Sequence, residues 1–458
     1  MGWGDSKGLT AKETTINNKT VQQNLSKNEK SEFEDKRSIK NNNVLTENNI
    51  AKDDENNLYK DKINLIYYSD ESKDYIYDIF GENFVKNNKD NVDLLINGCK
   101  QKELFNECIL VNGETKITII IKNKLTNLSS MFEGCYTLKD YSELKYLDVS
   151  QANDFSSMFA SCTQITDVNF LKNWNVSNSK TFFKMFNFCQ SLIDIKGLEN
   201  WDVSNCENFN EMFYGCKSLS DLNSLHNWNV SNGTNFREMF SNCEKLSDIS
   251  GVQNWNVSKG IYFNSMFCEC SKIRSFKDLQ NWNVSNGKQF NNMFYHCTSL
   301  LDSNGFENWN MSNAVSLTAM FSACSILTEA KSLVNWDVSN CKNFMSMFSE
   351  CSFLLSLRHF KKWNISNGIN FSFMFFKANR LDNIMHLSKW NVSNGTDFSF
   401  MFYECKKLVN LFTVEKWNVS KGTYFFAMFG KYDKSSVMEG IKDWKISKEL
   451  LESITKDN

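Results

Sequence analysis

Cysteine thiols are the most obvious reactive groups in this 458-residue chain, and ten of its fifteen cysteines recur with a 27-residue period. Cysteines stacked one repeat apart could lie about 5 Å from each other, which a disulfide tolerates. A column that faces a core is more simply a stack of small apolar side chains. The chain has no CxxC motif, and the single CxC of Cys268 and Cys270 is a weak metal signal. The sequence therefore predicts buried free thiols. The column consists of Cys135, Cys162, Cys189, Cys216, Cys243, Cys270, Cys297, Cys324, Cys351 and Cys405.

Carboxylates form a second column with the same spacing. Stacked carboxylates repel one another unless a cation or a basic partner compensates, so this acidic stripe is a candidate binding site. The favoured alternative is that each Asp caps a turn by accepting hydrogen bonds from backbone N–H groups. The members of the stripe are Asp140, Asp167, Asp194, Asp221 and Asp248.

Histidine and Asn-x-Ser/Thr patterns add little chemistry. His359 and His386 share a column, but no carboxylate or cysteine recurs beside them at metal-ligand spacing, so we expect ordinary exposed imidazoles. Asn-x-Ser/Thr occurs in most repeats and would invite glycosylation in a secreted eukaryotic protein. Asp202 and Asp337 occupy the same slot, which favours a turn position.

No nucleophile, phosphate-binding or zinc-protease motif occurs, so we expect no enzymatic activity and no cofactor.

Four aromatic residues occupy two columns that are usually polar. Phe373 and Phe400 directly precede a Met of the repeat, while Phe376 and Tyr403 lie two residues after it. If these slots face outward, the four rings form one exposed patch, and exposed aromatic patches are typical of interaction sites. The alternative is that a capping segment or a locally thicker core covers them.

All these columns belong to one 27-residue repeat that occurs twelve times. The dipeptide Met-Phe occurs in every copy, from Met131 to Met428, and Trp follows the same spacing from Trp174 to Trp444, with Leu147 in the slot before. The unit reads FxxMFxxCxxLxxIxxLxxWxVSN. Such a unit cannot bury its own apolar face, but stacked copies can. The repeat accounts for the high Phe, Met, Trp and Cys content of the chain.

The spacing within one unit predicts its local structure. Phe182, Met185 and Cys189 fall three and four residues apart, which predicts a short helical turn. The alternation of Trp201 and Val203 predicts a brief strand, and the Ser-Asn pair that follows is typical of a helix N-cap. A slot near the start of each unit accepts only Gly, Ala, Ser or Cys, which we interpret as tight backbone packing. Its members include Ala152, Ser179, Cys206, Gly233 and Gly260.

MFxxCxxL followed by WNVSN resembles the BspA-like leucine-rich-repeat proteins, in particular the branch with repeats of almost the same length found in bacterial surface proteins, lipoproteins and some protist proteins. The resemblance covers residues 125–446, more than two thirds of the chain. It implies a leucine-rich-repeat-like solenoid with a role in adhesion or protein binding, and it implies no catalytic residues. The sequence shows no signal-peptide pattern, no lipobox cysteine near its start and no proline for a wall anchor, so we expect the resemblance to the surface members to hold for the fold rather than for the location.

The predicted domain organisation follows from composition. Residues 1–57 are polar and read as a disordered tail. Residues 58–124 contain short apolar or aromatic runs, such as YIYDIFGENFV, which are separated by turn signals such as Asn97-Gly98 and Asn112-Gly113. These runs predict strands and hairpins that form a small β-rich or mixed N-terminal cap. Residues 125–446 form the solenoid of twelve repeats. Residues 447–458 supply a short amphipathic capping helix, KELLESITK, and a tail.

The net charge and the cysteine content limit the functions that this protein is expected to have. The net charge is −2, from 51 Lys and Arg against 53 Asp and Glu, so nucleic acid is not an expected partner. No apolar run is long enough to span a membrane. Free thiols fit a reducing compartment, which favours a cytoplasmic location over the cell surface. We predict a non-enzymatic scaffold that binds protein partners on an extended repeat surface. The alternative is a cell-surface adhesin exported without a visible signal.

Overall fold

The computed structural model describes residues 62–70, 75–409 and 411–456. The predicted disordered tail, residues 1–57, lies outside the described residues.

A mixed α/β cap precedes the repeats. Five strands form one sheet in the order β4-β3-β6-β1-β7, and β2 pairs with β5 in a second, two-stranded sheet. The strand β7 belongs to the first repeat and pairs with β1, so the cap and the repeats share one sheet. The elements are β1 (Lys62–Ser69), β2 (Ile76–Asp78), α1 (Glu82–Asn88), β3 (Val92–Ile96), β4 (Cys99–Lys100), β5 (Glu107–Ile109), β6 (Gly113–Ile121) and β7 (Leu138–Asp140).

The two Asn-Gly turns of the cap behave differently. Asn97 and Gly98 have φ of 48° and 83° and connect β3 to β4, so the predicted hairpin is confirmed. The prediction of a second hairpin at Asn112-Gly113 is wrong, because β6 starts there and pairs with β1 and β3. The run that reads as one strand, YIYDIFGENFV, is β2 followed by α1. Its buried Phe80, Phe84 and Asn88 are four residues apart, which is helical spacing.

The Met-Phe segment of each repeat consists of consecutive tight turns. The prediction of a helical turn there is wrong, because Lys184 and Phe188 have φ of 58° and 56°, outside the right-handed helical region. The N–H of Met185 donates to the carbonyl of Phe182, and the N–H of Cys189 donates to that of Phe186. The same left-handed positions recur through the array. The apolar spacing is therefore set by a series of tight turns, which bury the same side chains as a helix would.

Alternate residues of these turns hydrogen-bond with the next repeat. The N–H groups of Phe182, Lys184, Phe186 and Phe188 donate to carbonyls of the following repeat, at 2.7 to 3.0 Å. Single-residue parallel bridges continue this ladder from Asn127 to Tyr424. Because turns and ladder use alternate N–H groups, the backbone satisfies its hydrogen bonds without a continuous strand.

The later part of most units forms a short 3-10 helix rather than a strand. The predicted strand at Trp201 and Val203 is wrong, since both residues lie in irregular backbone. The predicted N-cap is also wrong: the Asn205 side chain donates to the Ser177 carbonyl of the preceding repeat. The 3-10 helices are Ser142–Tyr146, Asn169–Leu171, Lys196–Leu198, Asn223–Leu225, Ser250–Val252, Lys277–Leu279, Lys331–Asn335, Arg358–Phe360, Met385–Leu387 and Phe412–Val414.

The core consists of columns of identical side chains. All eleven Trp of the column are buried, and each Nε1–H donates to a carbonyl of the preceding repeat, at 2.8 to 3.2 Å. Neighbouring rings such as Trp228 and Trp255 stack with centroids 6.3 Å apart and planes 3° apart. Leu147 stands in the first slot, where no earlier repeat offers a carbonyl. Packing and hydrogen bonding therefore both act between consecutive repeats.

The small-residue slot confirms the packing interpretation. Gly233 has an ordinary negative φ, and a Cβ built on it would approach the ring of Phe236 to 2.4 Å. The slot thus accepts Ala, Ser or Cys only where that ring adjusts, and it excludes larger side chains.

Both ends of the array are covered. Gly81, which precedes α1, donates its N–H to the carbonyls of Ser130 and Met131 in the first repeat. At the other end, Ala427 and Phe429 donate to the carbonyls of Ser453 and Ile454, which stand in for a further repeat. Two helices form this end: α2 (Lys434–Gly440) and α3 (Lys448–Ser453). The predicted C-terminal helix is confirmed, although it ends at Ser453.

Candidate binding surfaces

The cysteine column is a structural ladder. From Cys162 onward its nine members are buried, and each Sγ–H donates to a Phe carbonyl of the preceding repeat, at 3.0 to 3.2 Å. All are free thiols, as predicted. Burial raises the pKa of Cys189 to about 12, so its thiolate is scarce at neutral pH. The column therefore contributes hydrogen bonds and packing to the core.

The acidic stripe is used by local turns. Each of its five Asp side chains accepts the N–H of the residue two positions later, for example Lys196 N–H on Asp194 at 2.8 Å. The hydrogen bonds from Ser250 lower the pKa of Asp248. Asn175 and its counterparts accept the N–H of the following Ser in the same way. The turn interpretation is confirmed for both columns.

The expectation of exposed imidazoles is wrong, because His359 and His386 are both half-buried, and His359 lies among other charges. Arg358 donates to Nε2 of His359 at 3.0 Å, and the Glu329 carboxylate lies 3.9 Å from the same nitrogen. Burial, with the nearby Arg358, lowers the pKa of His359. Neutral imidazole is thus favoured at physiological pH. Among the residues that the structure describes, no group of three or more His, Cys, Asp and Glu could hold a metal ion.

Four carboxyl groups meet where the cap joins the first repeat. Burial raises the pKa of Asp78 to about 6, and the nearby carboxylates of Glu107, Glu82 and Glu133 act in the same direction. No motif in the sequence indicated this cluster, because its members come from β2, α1, β5 and the first repeat. Its consequence is a pH-dependent contribution to stability.

The four predicted aromatic residues do form one cluster. Phe373 stacks on Phe400 with centroids 4.7 Å apart, and Phe376 stacks on Tyr403 at 5.5 Å. The two stacks meet edge to face, with Phe400 and Tyr403 centroids 5.6 Å apart. Phe373 and Phe400 occupy left-handed turn positions, with φ of 59° and 58°. None of the four rings belongs to the buried core cluster, and repeats 10 and 11 place the rings in register.

The patch is recessed rather than fully exposed. Tyr403 is 7% exposed, so the expectation of four exposed rings is wrong at this residue, which packs beside Gly430. Phe373, Phe376 and Phe400 are half-buried because they cover one another. Sequence reasoning missed Phe426, which is 37% exposed and lies 5.4 Å from Phe400 between ring centroids. It lies two residues before Met428, in a column that is polar in most repeats. We call Phe373, Phe376, Phe400, Tyr403 and Phe426 the aromatic cluster.

A basic edge borders the aromatic cluster. The Lys377 ammonium lies 4.8 Å from the centroid of Phe376, and the Arg380 guanidinium lies 3.9 Å from that of Phe353. Lys406 and Lys407 are exposed and follow Tyr403 by three and four residues. We call Lys377, Arg380, Lys406 and Lys407 the basic edge.

No helix in the described part of the chain has the length and apolar character needed to cross a bilayer.

Twelve consecutive units that hydrogen-bond to their neighbours and share one core define a repeat protein. Residues 99–223, 190–302, 220–330 and 315–444 match the family described as "Mycoplasma protein of unknown function, DUF285". These segments together cover three quarters of the chain, and the chain belongs to this family. The comparison with curated proteins and that with solved structures each found no match.

Proposed function

We propose that this protein is a non-enzymatic scaffold that binds a protein partner through the aromatic cluster. The observation that carries the proposal is the concentration of five aromatic rings on a face whose corresponding slots are mostly polar. Ser occupies the slot of Phe373 in Ser130, Ser157 and Ser265, so the fold does not require a ring there. Aromatic residues are favoured anchors of protein interfaces.

The leucine-rich-repeat-like solenoid belongs to this proposal. Its support is the regular inter-repeat ladder, in which every unit contacts its neighbours. An extended stack presents a long surface, which suits protein recognition. The BspA-like resemblance supports the same interpretation, because those repeats are structural.

A cytoplasmic location is also part of the proposal. Its support is the cysteine ladder, whose hydrogen bonds require the thiol form. Free thiols persist in reducing compartments.

The test compares three full-length proteins as bait in extracts of the native cells. The variant carries Phe373→Ser and Phe400→Ser, and the control carries Phe183→Ser, a half-buried ring on the same face in repeat 3. Other repeats carry Ser at the positions that correspond to these substituted residues, so both proteins should fold. We expect one or more proteins to bind the wild type and the control but not the variant. Identical protein profiles for all three, with intact circular dichroism, would refute a role for the cluster.

A further inference from the structure

We infer that the partner presents an acidic segment with apolar or aromatic side chains, which lies flat across the aromatic cluster with its carboxylates on the basic edge. This inference rests on the proposed function and names the chemistry of the partner.

The basic edge concentrates positive charge in repeats 10 and 11. Between the third and sixth residues after Met, repeats 10 and 11 carry Lys377, Arg380, Lys406 and Lys407 against one carboxylate, Glu404. The same positions in the first four repeats carry a single charged residue, Lys217. Positive charge is therefore concentrated where the rings are, although the whole chain is slightly acidic. An acidic segment is complementary to this edge.

Among the described residues, the cations of the basic edge form few ion pairs with carboxylates of this chain. Lys377 lies 3.9 Å from Glu350, a long contact between two well-exposed side chains, which contributes little. Arg380 lies over the Phe353 ring, and no carboxylate in the part of the chain that the structure describes forms a salt bridge with it. A guanidinium and several ammonium groups can thus bind carboxylates from a partner, with Arg offering paired N–H donors.

The aromatic cluster has a shallow surface. The rings of the aromatic cluster stack on one another, and Tyr403 is buried while Phe373, Phe376 and Phe400 are half-buried. A surface of mutually covered rings offers a flat or shallow contact. Such a surface fits the apolar side chains of a peptide. It is poorly suited to insertion into a bilayer, which requires rings that protrude into the headgroup region.

The probe is a random dodecapeptide library displayed on phage, selected on the full-length protein and counter-selected on the Phe373→Ser/Phe400→Ser variant. We expect enriched sequences that place Asp or Glu within a few residues of Phe, Trp or Leu. The best peptide is then measured by fluorescence anisotropy. Enrichment of basic or uncharged sequences would overturn the inference.

Charge reversal separates the inference from the proposed function. Lys406→Glu with Lys407→Glu should raise the Kd of the selected peptide at least tenfold, and added salt should weaken binding to the wild type. The matched control, Lys217→Glu with Lys245→Glu, reverses charges in corresponding positions of repeats 4 and 5 and should leave the Kd unchanged. If the Phe-to-Ser variant loses the peptide while the Lys406/Lys407 variant and salt have no effect, the acidic partner is refuted and the aromatic site stands. If the Phe-to-Ser variant keeps the peptide, the proposed function fails as well.

Two further measurements address other occupants. Vesicles of phosphatidylserine and phosphatidylcholine that sediment the wild type but not the Phe-to-Ser variant would replace the peptide with a membrane surface. Self-association of the wild type in analytical ultracentrifugation, lost in the same variant, would replace it with a second copy of the chain. We expect neither result.

Discussion

At the scale of single residues, the columns do two tasks at once. Trp and Cys each fill the core and each donate a hydrogen bond to a carbonyl of the preceding repeat. A residue of similar size without the donor would fill the volume but leave the carbonyl less satisfied, and this cost exceeds the small net gain from forming such a bond. The composition of the chain therefore reflects hydrogen bonding as well as apolarity.

Trp255→Phe tests this double role. Trp255 Nε1–H donates to the Leu225 carbonyl at 3.0 Å in a fully packed column. Removing the donor and part of the ring should lower the free energy of unfolding by about 3 kcal/mol, as expected for a buried cavity with an unsatisfied acceptor. Urea denaturation followed by circular dichroism measures the change. A loss below about 0.5 kcal/mol, the range of ordinary surface substitutions, would show that the hydrogen bond does not contribute to stability.

Thiol reactivity tests the cysteine ladder. Cys99 is exposed, while burial raises the pKa of Cys108 and Cys189 to about 12. Only the thiolate reacts, so iodoacetamide at pH 8 should label Cys99 first and the column only after denaturation. Peptide mass spectrometry locates the labels. Disulfides within the column of freshly isolated protein would contradict both the ladder and the cytoplasmic location.

Asp78→Asn tests the carboxylate cluster. The pKa of Asp78 is raised to about 6 in the folded protein, so folding favours its protonated form. The stability that this group contributes is present below its ordinary pKa and is lost as the pH rises through about 6. The neutral Asn should therefore stabilise the protein at pH 7.5 by about 1 kcal/mol, a figure reduced because the carboxyl is half-buried. Urea midpoints at pH 4 and pH 7.5 give the difference, and equal effects at both values would refute the assignment.

At the scale of elements, the repeat is a chain of turns held by its neighbours. Ser130, Lys184 and Ala319 have positive φ, which costs an ordinary residue about 1 kcal/mol. Each such residue places its N–H in the ladder to the next repeat. The hydrogen bonds between repeats offset this local cost. A single unit considered alone lacks these bonds, and its apolar spacing then predicts a helix. At the N-terminal end of the ladder no earlier repeat exists, and the N–H of Gly81 in the cap donates to the carbonyls of the first repeat.

Gly81→Ala tests the junction of the cap with the first repeat. A Cβ at this position would lie 2.1 Å from the Ser130 carbonyl oxygen, so the backbone must move and the hydrogen bond is lost. We expect a loss of about 3 kcal/mol or more in the free energy of unfolding. The control is Asn87→Ala on the exposed face of α1. Equal stability of the two variants would show that the cap does not depend on this contact.

At the scale of the whole molecule, the structure is a series of similar interfaces. The aromatic columns continue through units that differ in surface charge, and the last repeats carry the aromatic cluster and the basic edge. In such an array stability is approximately a sum over neighbouring interfaces. A functional site can then change in three repeats while the remaining repeats keep their structure.

Removal of one whole repeat tests this modular organisation. Deleting residues 233–259 joins Asn232 to Gly260, which occupies the same slot as the deleted Gly233. The shortened protein should fold with the same circular dichroism per residue and still bind the selected peptide, with a modestly lower unfolding midpoint. Deleting residues 233–246, about half a unit, should destroy the register. Similar behaviour of both deletions would contradict a stacked array.

The sequence by itself determined the repeat length, the buried columns, the free thiols and the turn role of Asp194 and its equivalents. These follow from spacing and residue type, because an uninterrupted 27-residue period allows only one register of neighbours. The tertiary structure alone decided the backbone path and the burial of the aromatic cluster. The spacing of Phe182, Met185 and Cys189 fits a helix and also fits a series of tight turns. Only the hydrogen bonds between repeats select the turns, with their left-handed residues. Likewise, Tyr403 is buried and Phe426 joins the cluster because the next repeat lies beside them, a contact that a single unit does not contain.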